Sequence, residues 1–427
     1  VTAPAITGLG IVSALGATAE QTLAALIDGK SGIGPITAHN TASLRTRIGA
    51  PAVEFSAREH VAHRRLLRNM TYSDLLAVVG ISSATIDSGL TAADGFDGDR
   101  VGLYIGGNKE ISDPAKVIDA VLLARRPDGS TDMAVMGGAG AEAFYPLFYV
   151  EGLQAASLFH GSVGRGFRGE NTYLAGGPEA GIGAIGRAAR AVRRGDADAA
   201  VAGGFDDPTS WWAMSKIDAT EVMSGSNDLG REAYRPFDSH RDGWVPGDGC
   251  AFVAIEDQGR ARARGARVHG YLTGYGTGFT LDPTARESAV QGLAAALRGA
   301  AGDRIGEVDA IVVDARADDG DVVIAEAIRE VFGDRAASII GTTPGPAVGH
   351  LGAAAGAFAV TIAAKAVADS VVPPILNLDR PDERCAGIDW AVGTARSTPI
   401  RTALALGRGD LGHHVAVAVS ATADRST

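Results

Sequence analysis

The sequence predicts an α/β fold of mainly parallel sheets covered by helices and assembled from two similar halves. Three observations point there. Strand-like and helix-like segments alternate from one end of the chain to the other. The order of elements in residues 1–255 returns in residues 256–427 without any literal repeat, so a pseudo-duplicated chain is expected. The 427 residues, 46% of them hydrophobic, suffice for a large duplicated core, and 58 glycines imply many tight turns and close backbone contacts.

The first half opens with the strand "PAITGLGIV" (4–12). A helix follows over 18–29, with Thr18 suited to its N-cap and Gly29 to its stop. Residues 72–89 read as a second helix, 100–107 as a strand ending in glycines, and 139–160 as an irregular apolar helix. Then come a strand at 171–175, a helix at 178–194 and a strand at 198–204. The second half runs strand 271–279, helix 287–300, strand 308–315, helix 322–333, strand 338–343 and helix 350–368. Strands 402–409 and 414–420 complete it.

Composition narrows the function. A net charge of −11 argues against nucleic acid as the main partner. No apolar run reaches the ~18–20 residues of a membrane span, and no cationic-then-apolar export signal is visible. Cys250 and Cys385 are too few for a disulfide framework or a zinc knuckle, so a cytoplasmic, reducing setting without metal or cofactor is expected. Cys250 reads as packed core. The basic run "RARARGARVHG" (260–270) is a candidate patch for an acidic carrier protein, although such runs are mostly solvated faces.

The segment "TYLAGGPEAGIGAIGRAARAVRRGDADAAVAGG" (172–204) has the strand, sharp turn and helix of a nucleophile elbow, yet the turn holds Gly176, Gly177 and Pro178. Pro178 suits the first helical position, Glu179 complements the helix dipole, and Ile182, Ile185 and Val192 form one apolar stripe. Inside the helix lies "GIGAIG" (181–186), a literal dinucleotide fingerprint with Asp206 twenty residues on. The helix starts before these glycines, behind the Glu179 carboxylate, so they do not form a phosphate turn. They read as close-packing positions, and nucleotide binding is the weakest of three functional readings.

Two further segments carry a resemblance. "RPFDSHRDGWVPGDGCAFVAIED" (235–257) and "VGHLGAAAGAF" (348–358) are similar to signature segments of β-ketoacyl synthases. "ITGLGIVSALG" (6–16) resembles their opening, and "GDADAAVAGGFDD" (195–207) the strand after their nucleophile helix. The similarity runs end to end and implies the thiolase fold: two pseudo-duplicated βαβαβ halves, 1–255 and 256–427, in a five-layer αβαβα sandwich that dimerises.

The resemblance also implies a catalytic set: a cysteine on the elbow that accepts an acyl chain, two histidines that assist decarboxylation of a malonyl-carrier, and a lysine before the second histidine. Counted from both flanks, the cysteine position is Pro178. Anchored on "VDAIVVD" (308–314), the first histidine position is Asp314, and no histidine stands between His269 and His350. The lysine position is Gly345, with no lysine between Lys216 and Lys365. Only the second histidine is retained, as His350, and the gate that carries phenylalanine in active synthases reads "GRG" with Arg408. Without nucleophile or lysine, no covalent acyl-enzyme is expected.

This pattern, with "RSTPIRTALALGRG" (396–409), resembles the chain length factor of type II polyketide synthases. That resemblance implies heterodimerisation with an active ketosynthase and contact with an acyl carrier protein bearing a phosphopantetheine-bound acyl chain. Proline instead of glutamine at the elbow, and the retained His350, imply a divergent branch serving reduced or polyene chains. The family's acyl tunnel would run along "AFYPLFYVEGLQAASLF" (143–159), where Phe144, Tyr145, Phe148, Tyr149 and Phe159 crowd together in a chain only 6% aromatic. The loop "NKEIS" (108–112), with Glu110, would lie beside it, and Phe148 is expected to project toward the partner. The alternative is an autonomous decarboxylase or acyltransferase using His350 as base.

Overall fold

The computed structural model describes residues 2–61, 63–91, 95–109 and 114–423. Its first half comprises β1 (Ala5–Val12), α1 (Ala19–Ile27), α2 (Tyr72–Ser88), β2 (Val101–Gly107), α3 (Pro114–Leu123), α4 (Ala156–Arg165), β3 (Asn171–Ala175), α5 (Pro178–Arg194), β4 (Ala199–Asp206) and β5 (Gly249–Glu256). The second comprises β6 (Gly270–Phe279), α6 (Arg286–Ala301), β7 (Val308–Val313), α7 (Gly320–Phe332), β8 (Ile340–Thr342), α8 (Ala354–Asp369), β9 (Asp389–Trp390), β10 (Thr402–Arg408) and β11 (His413–Ser420). All eleven strands join one sheet, ordered β9-β8-β7-β10-β11-β6-β1-β5-β4-β2-β3.

The duplication is explicit in this order. Outward from the centre, the halves run β1-β5-β4-β2-β3 and β6-β11-β10-β7-β8, with matching polarity at each step. They meet through a short antiparallel contact, Ala5 opposite Tyr271 and Ile6 opposite Gly270.

Strand alternation sorts the side chains into layers. In β5, Ala251, Val253 and Ile255 face a core shared with α5 and α8, while Cys250, Phe252 and Ala254 face a core under α2. In β10, Ala403 and Ala405 join the shared core, while Leu404 and Leu406 face α6 and α7. The order is therefore helices, half-sheet, the α5/α8 pair, half-sheet, helices: the five-layer sandwich of the thiolase fold.

Helix ends follow local chemistry. Thr18 accepts a hydrogen bond from the Gln21 N–H at the start of α1. Thr71 and Asp74 form a reciprocal capping box on α2, and α5 starts on Pro178 and stops at Gly195, whose φ is +75°.

Three expectations need correction. The sheets are mixed, because β4–β5, β5–β1, β10–β11 and β11–β6 are antiparallel. No helical crossover separates β10 from β11, which a tight connection joins, and antiparallel pairing needs none. The irregular helix over 139–160 is broken into a π turn at Met136–Gly140, a helical turn at Phe148–Glu151, and α4, which runs past the expected end. The helix expected from residue 350 begins at Ala354, because Gly349 and Gly352 adopt φ of +74° and +52°.

The α5 glycines serve packing, as their reading as close-packing positions requires. A Cβ on Gly181 would lie 2.6 Å from the Ala353 carbonyl oxygen, and one on Gly186 would enter the Tyr275 ring. From the opposite helix, a Cβ on Gly356 would lie 2.1 Å from the Pro178 carbonyl oxygen. Asp206 accepts the Ala353 N–H at 2.9 Å and so fixes the approach to α8. Gly356→Ala should lower unfolding stability by roughly 1–3 kcal/mol through overpacking. Gly183→Ala, whose Cβ would meet only Leu174 Cδ1 at 3.4 Å, should instead raise it by up to about 1 kcal/mol through helix propensity. Urea denaturation of both variants checks the contrast.

Candidate functional site

The elbow forms where β3 ends and α5 begins. Pro178 is buried at the first helical position, so the turn offers neither a nucleophile nor an N–H at that residue. The preceding Gly177 N–H donates to Glu179 Oε1 at 3.1 Å, which places a carboxylate on the helix N-terminus. A Cβ on Gly409 would lie 2.9 Å from Glu179 Oε2, so this side chain fills the space between the elbow and the loop after β10.

Asp314 and His350 come together although thirty-six residues apart: His350 Nε2 lies 3.2 Å from Asp314 Oδ1, and both are buried. The His350 backbone is clamped, its N–H donating to the Val245 carbonyl at 2.8 Å and its carbonyl accepting from Gly247 N–H at 3.0 Å. Nδ1 accepts the Gly352 N–H at 3.3 Å, which puts the neutral ring's proton on Nε2, facing Asp314. The ring also packs on Trp244, 4.7 Å between centroids.

Arg316 completes the cluster. Its Nε donates to Asp314 Oδ2 at 3.1 Å, and its Nη atoms reach the Asp410 carboxylate and the Arg408 carbonyl. Arg408 bonds both oxygens of Asp318 at 3.0 and 2.8 Å, and its side chain fills the space over Gly320. Burial opposes ionisation of Asp314, but the Arg316 guanidinium, the neighbouring His350 ring and the Arg408 guanidinium outweigh it and hold its carboxyl well below the usual range. Burial opposes the Arg316 charge likewise, and Asp314, Asp410 and Asp318 outweigh it upward. Asp321, which accepts the N–H groups of Phe237 at 3.0 Å and Arg316 at 2.9 Å, is pushed up to about 7 by burial and by neighbouring Asp318.

Gly345 opens a short helical turn directly against Tyr234, and a Cβ there would lie 2.7 Å from that ring. Tyr234 is fully buried and donates its hydroxyl to the Ala315 carbonyl at 2.7 Å. The cavity bounded by Tyr234, Asp314, Gly345, His350 and Phe358 measures ≈ 10 Å³, about one water molecule.

The aromatic segment is only partly assembled as expected. Phe144, Tyr145, Phe148 and Tyr149 form one cluster, with Phe144 and Phe148 centroids 4.6 Å apart. Phe159 stands apart, edge-on to His160 at 5.3 Å. Within its own chain Phe148 is buried at the cluster's centre, contrary to its expected projection, because the other three rings pack around it. Tyr149, Phe159 and Tyr145 are the exposed rings, at 68%, 54% and 37%. Glu110 lies outside the described residues. Its neighbour Lys109 is buried, bonds both Asp74 oxygens at 3.0 and 2.8 Å, and reaches the carbonyls of Glu151 at 2.5 Å and Leu153 at 3.3 Å. That strut sets the shape of the aromatic turn.

Sequence reasoning missed Arg316, Tyr234 and Lys109. A signal for Arg316 existed: "DARADDGD" (314–321) packs four carboxylates around a single cation. The basic run 260–270 is partly spent internally: Arg260 pairs with Asp198 at 2.6 Å, and Arg264 pairs with Glu256 and donates to the Ser88 carbonyl, while Arg262 and Arg267 stay exposed without an ion pair among the described residues. Arg58, Arg64, Arg65 and Arg68 are likewise exposed without an ion pair among the described residues. Among the described residues no helix is long and apolar enough to cross a membrane, and no His, Cys, Asp or Glu group could hold a metal ion.

Comparison with known proteins agrees with the fold. Residues 3–261 match the family model "Beta-ketoacyl synthase, N-terminal domain" and residues 266–379 match "Beta-ketoacyl synthase, C-terminal domain". The chain is 30% identical over 410 residues to 3-oxoacyl-[acyl-carrier-protein] synthase 2 of Vibrio harveyi, covering 93% of this chain and 94% of that protein. It is 30% identical over 402 residues to the Vibrio cholerae synthase of the same name, covering 92% of each. Among solved structures, the ishigamide ketosynthase/chain length factor superposes with a TM-score of 0.84 at 23% identity, covering 99% of this chain and 100% of that one. A Burkholderia phymatum β-ketoacyl synthase gives 0.85 at 24% identity, covering 98% and 99%. The chain belongs to the β-ketoacyl synthase family.

Asp314→Asn should lower stability at pH 7 by about 3–5 kcal/mol, because Arg316 then keeps a buried charge without its partner. The folded carboxyl titrates below its ordinary value of 3.8. Its contribution is therefore complete above the unfolded value and is lost as pH falls through the folded one. Urea melts from pH 7 to 3 should show the gap between wild type and Asp314→Asn shrinking below about pH 4.

Proposed function

We propose, from membership of the β-ketoacyl synthase family, that this chain is a chain length factor: a catalytically degenerate subunit that pairs with an active ketosynthase and bounds its acyl tunnel. One observation carries the reading. Where the family places an acyl-accepting cysteine, α5 begins on Pro178, and the neighbouring chamber is a cavity of ≈ 10 Å³ lined by Tyr234 and the Asp314–His350 pair. A chamber of that size holds no malonyl group, and proline supplies no nucleophile. His350 Nδ1 accepts the Gly352 N–H, and Nε2 lies 3.2 Å from the Asp314 carboxylate, which occupies the space beside that nitrogen.

The surface supports a partner subunit. β3 pairs only with β2 and leaves a sheet edge open. Of the twenty-four exposed large hydrophobics among the described residues, thirteen fall between Ile118 and Val163, so exposed apolar area is concentrated in that region. An active ketosynthase docked there would bring its acyl chain against Tyr149, Phe144 and Phe159, and the carrier protein's acidic surface would meet Arg58, Arg64, Arg65 and Arg68. One structural neighbour carries a similar arrangement in its name, a type II acyl-carrier protein in complex with its ketosynthase bound to the hexaketide.

The competing reading, an autonomous decarboxylase or acyltransferase, rests on the His350–Asp314 pair as a His–carboxylate base. Intact-mass measurement separates the two. The isolated chain should acquire no acyl adduct from thioester substrates and release no CO2 from malonyl-carrier; either event establishes the competing reading. Pro178→Cys should restore neither activity, because the lysine and first histidine positions are also replaced and such groups act as a unit.

Co-expression with a cysteine-bearing ketosynthase from the same gene neighbourhood should give a mixed dimer on size exclusion; two separate homomeric species count against the assignment. In an intact dimer, Tyr149→Ala should shift products toward longer chains with the starter unchanged. Phe148→Ala is the less informative choice, because emptying the centre of the cluster costs about 3–5 kcal/mol. An unaltered length distribution from Tyr149→Ala, Phe144→Ala and Phe159→Ala alike would assign the segment to interface packing.

A further inference from the structure

We propose that the C-terminal half of α5 carries a second binding site, fitted to a phosphate-bearing small molecule. Arg187, Arg190 and Arg193 line a pocket of ≈ 190 Å³ whose floor is Tyr275, Leu272 and Val417. The three arginines recur at every third residue, so they share one helix face, with neighbouring side chains about 5–6 Å apart.

Their placement sets them apart. Some exposed arginines in this acidic chain find carboxylates, as Arg286 bonds Glu326, Arg298 bonds Glu330 and Arg401 bonds Asp309, and others, such as Arg64 and Arg65, find none among the described residues; Arg187, Arg190 and Arg193 line one walled pocket together. In the pocket, Arg193 donates to the Leu272 carbonyl at 3.1 Å, while Arg187 and Arg190 have no hydrogen bond or ion pair among the described residues. The helix dipole does not account for them. Its field acts within the last turn, where Arg193 and Arg194 stand, and Arg187 and Arg190 lie before it.

The floor is built as well as the rim. Gly186 makes room for Tyr275, since a Cβ there would fall 2.1 Å from the ring, and the ring is seated in that notch with 39% of the residue exposed. Arg187 and Arg190 are the charges that act on its phenol. Two unpaired guanidinium forks suit a phosphate's oxygens, which they bind bidentately. An aromatic and aliphatic floor suits an organic group attached to the phosphate. At ≈ 190 Å³, against the ≈ 10 Å³ that holds one water beside His350, the pocket has room for a diphosphate or a phosphomonoester head group. Arg187 to Arg193 lie nine to fifteen residues along α5 from Pro178, about 14–23 Å at 1.5 Å per residue, so the site stands or falls independently of the chain length factor reading.

Isothermal titration of the full chain at fixed ionic strength tests this with two probes, sodium pyrophosphate and adenosine 3′,5′-bisphosphate. Saturable 1:1 binding is expected for both. Arg187→Gln/Arg190→Gln should weaken it at least tenfold without altering the melting temperature of the free protein, because both side chains are exposed. Tyr275→Leu should weaken the bisphosphate more than pyrophosphate if the organic group sits on the ring, and both equally if phosphate alone is recognised. Absence of saturable binding by wild type, equal binding by the double variant, or an effect reproduced by sodium chloride at matched ionic strength would overturn the proposal. Arg187→Glu provides a second variant, and undiminished binding by it would have the same force.

Discussion

Everything in this molecule hangs on how closely α5 approaches α8. The two helices fill the middle layer, and the first turn of α5 leaves no room for a side chain on Gly356 or Gly407. Both half-sheets close on this pair through alanines and β-branched residues of β4, β5, β10 and β11. At such a separation dispersion contacts run along backbone as well as side chains, and a single methyl group is felt. The elbow is therefore an architectural necessity before it is a catalytic one. Its turn must persist so that α5 can seat against α8, whatever residue stands at position 178.

On the proposed function, that necessity would explain how a catalytic scaffold outlives its chemistry. Where the family resemblance expects reacting groups, this chain has substitutes that satisfy one another: Tyr234 covers Gly345, Asp314 faces His350, and Arg316 joins Asp314 to the loop at Arg408 and Asp410. Buried charges are tolerated only when paired, and here the pairing is closed. Glu179 Oε2, His350 Nε2 and Arg408 Nε are buried in this region without a hydrogen bond among the described residues.

The alternation of strands and helices and the two similar halves were legible because the elements carry different hydrophobic periods and their order repeats; the layer order came from the family resemblance. The polarity of β1, β5, β6 and β11 was not, because alternation says which face a residue takes and nothing about direction. Pro178 announced itself by position alone. Arg316 did not, since its role depends on Arg408 and Asp410 arriving from ninety residues away. Phe148 misled for a related reason: an aromatic-rich turn reads as a projecting surface, whereas four rings close in sequence bury one of their own. Lys109 looked like an ordinary loop residue until the capping carboxylate of α2 was found opposite its ammonium.

The shared middle layer also governs how the chain emerges during synthesis. The first half is complete at Glu256, with α5 on the inner face of its sheet, but the part of that face and of α5 that meets α8 is not covered until α8 appears from Ala354 onward. At ribosomal rates of ~5–20 residues per second, the intervening ~100 residues take about 5–20 s. Throughout that interval the alanines, valine and isoleucine that α8 will cover wait beside α5 partly exposed. The nascent chain is most exposed to wrong partners, chaperones included, before its own second half arrives.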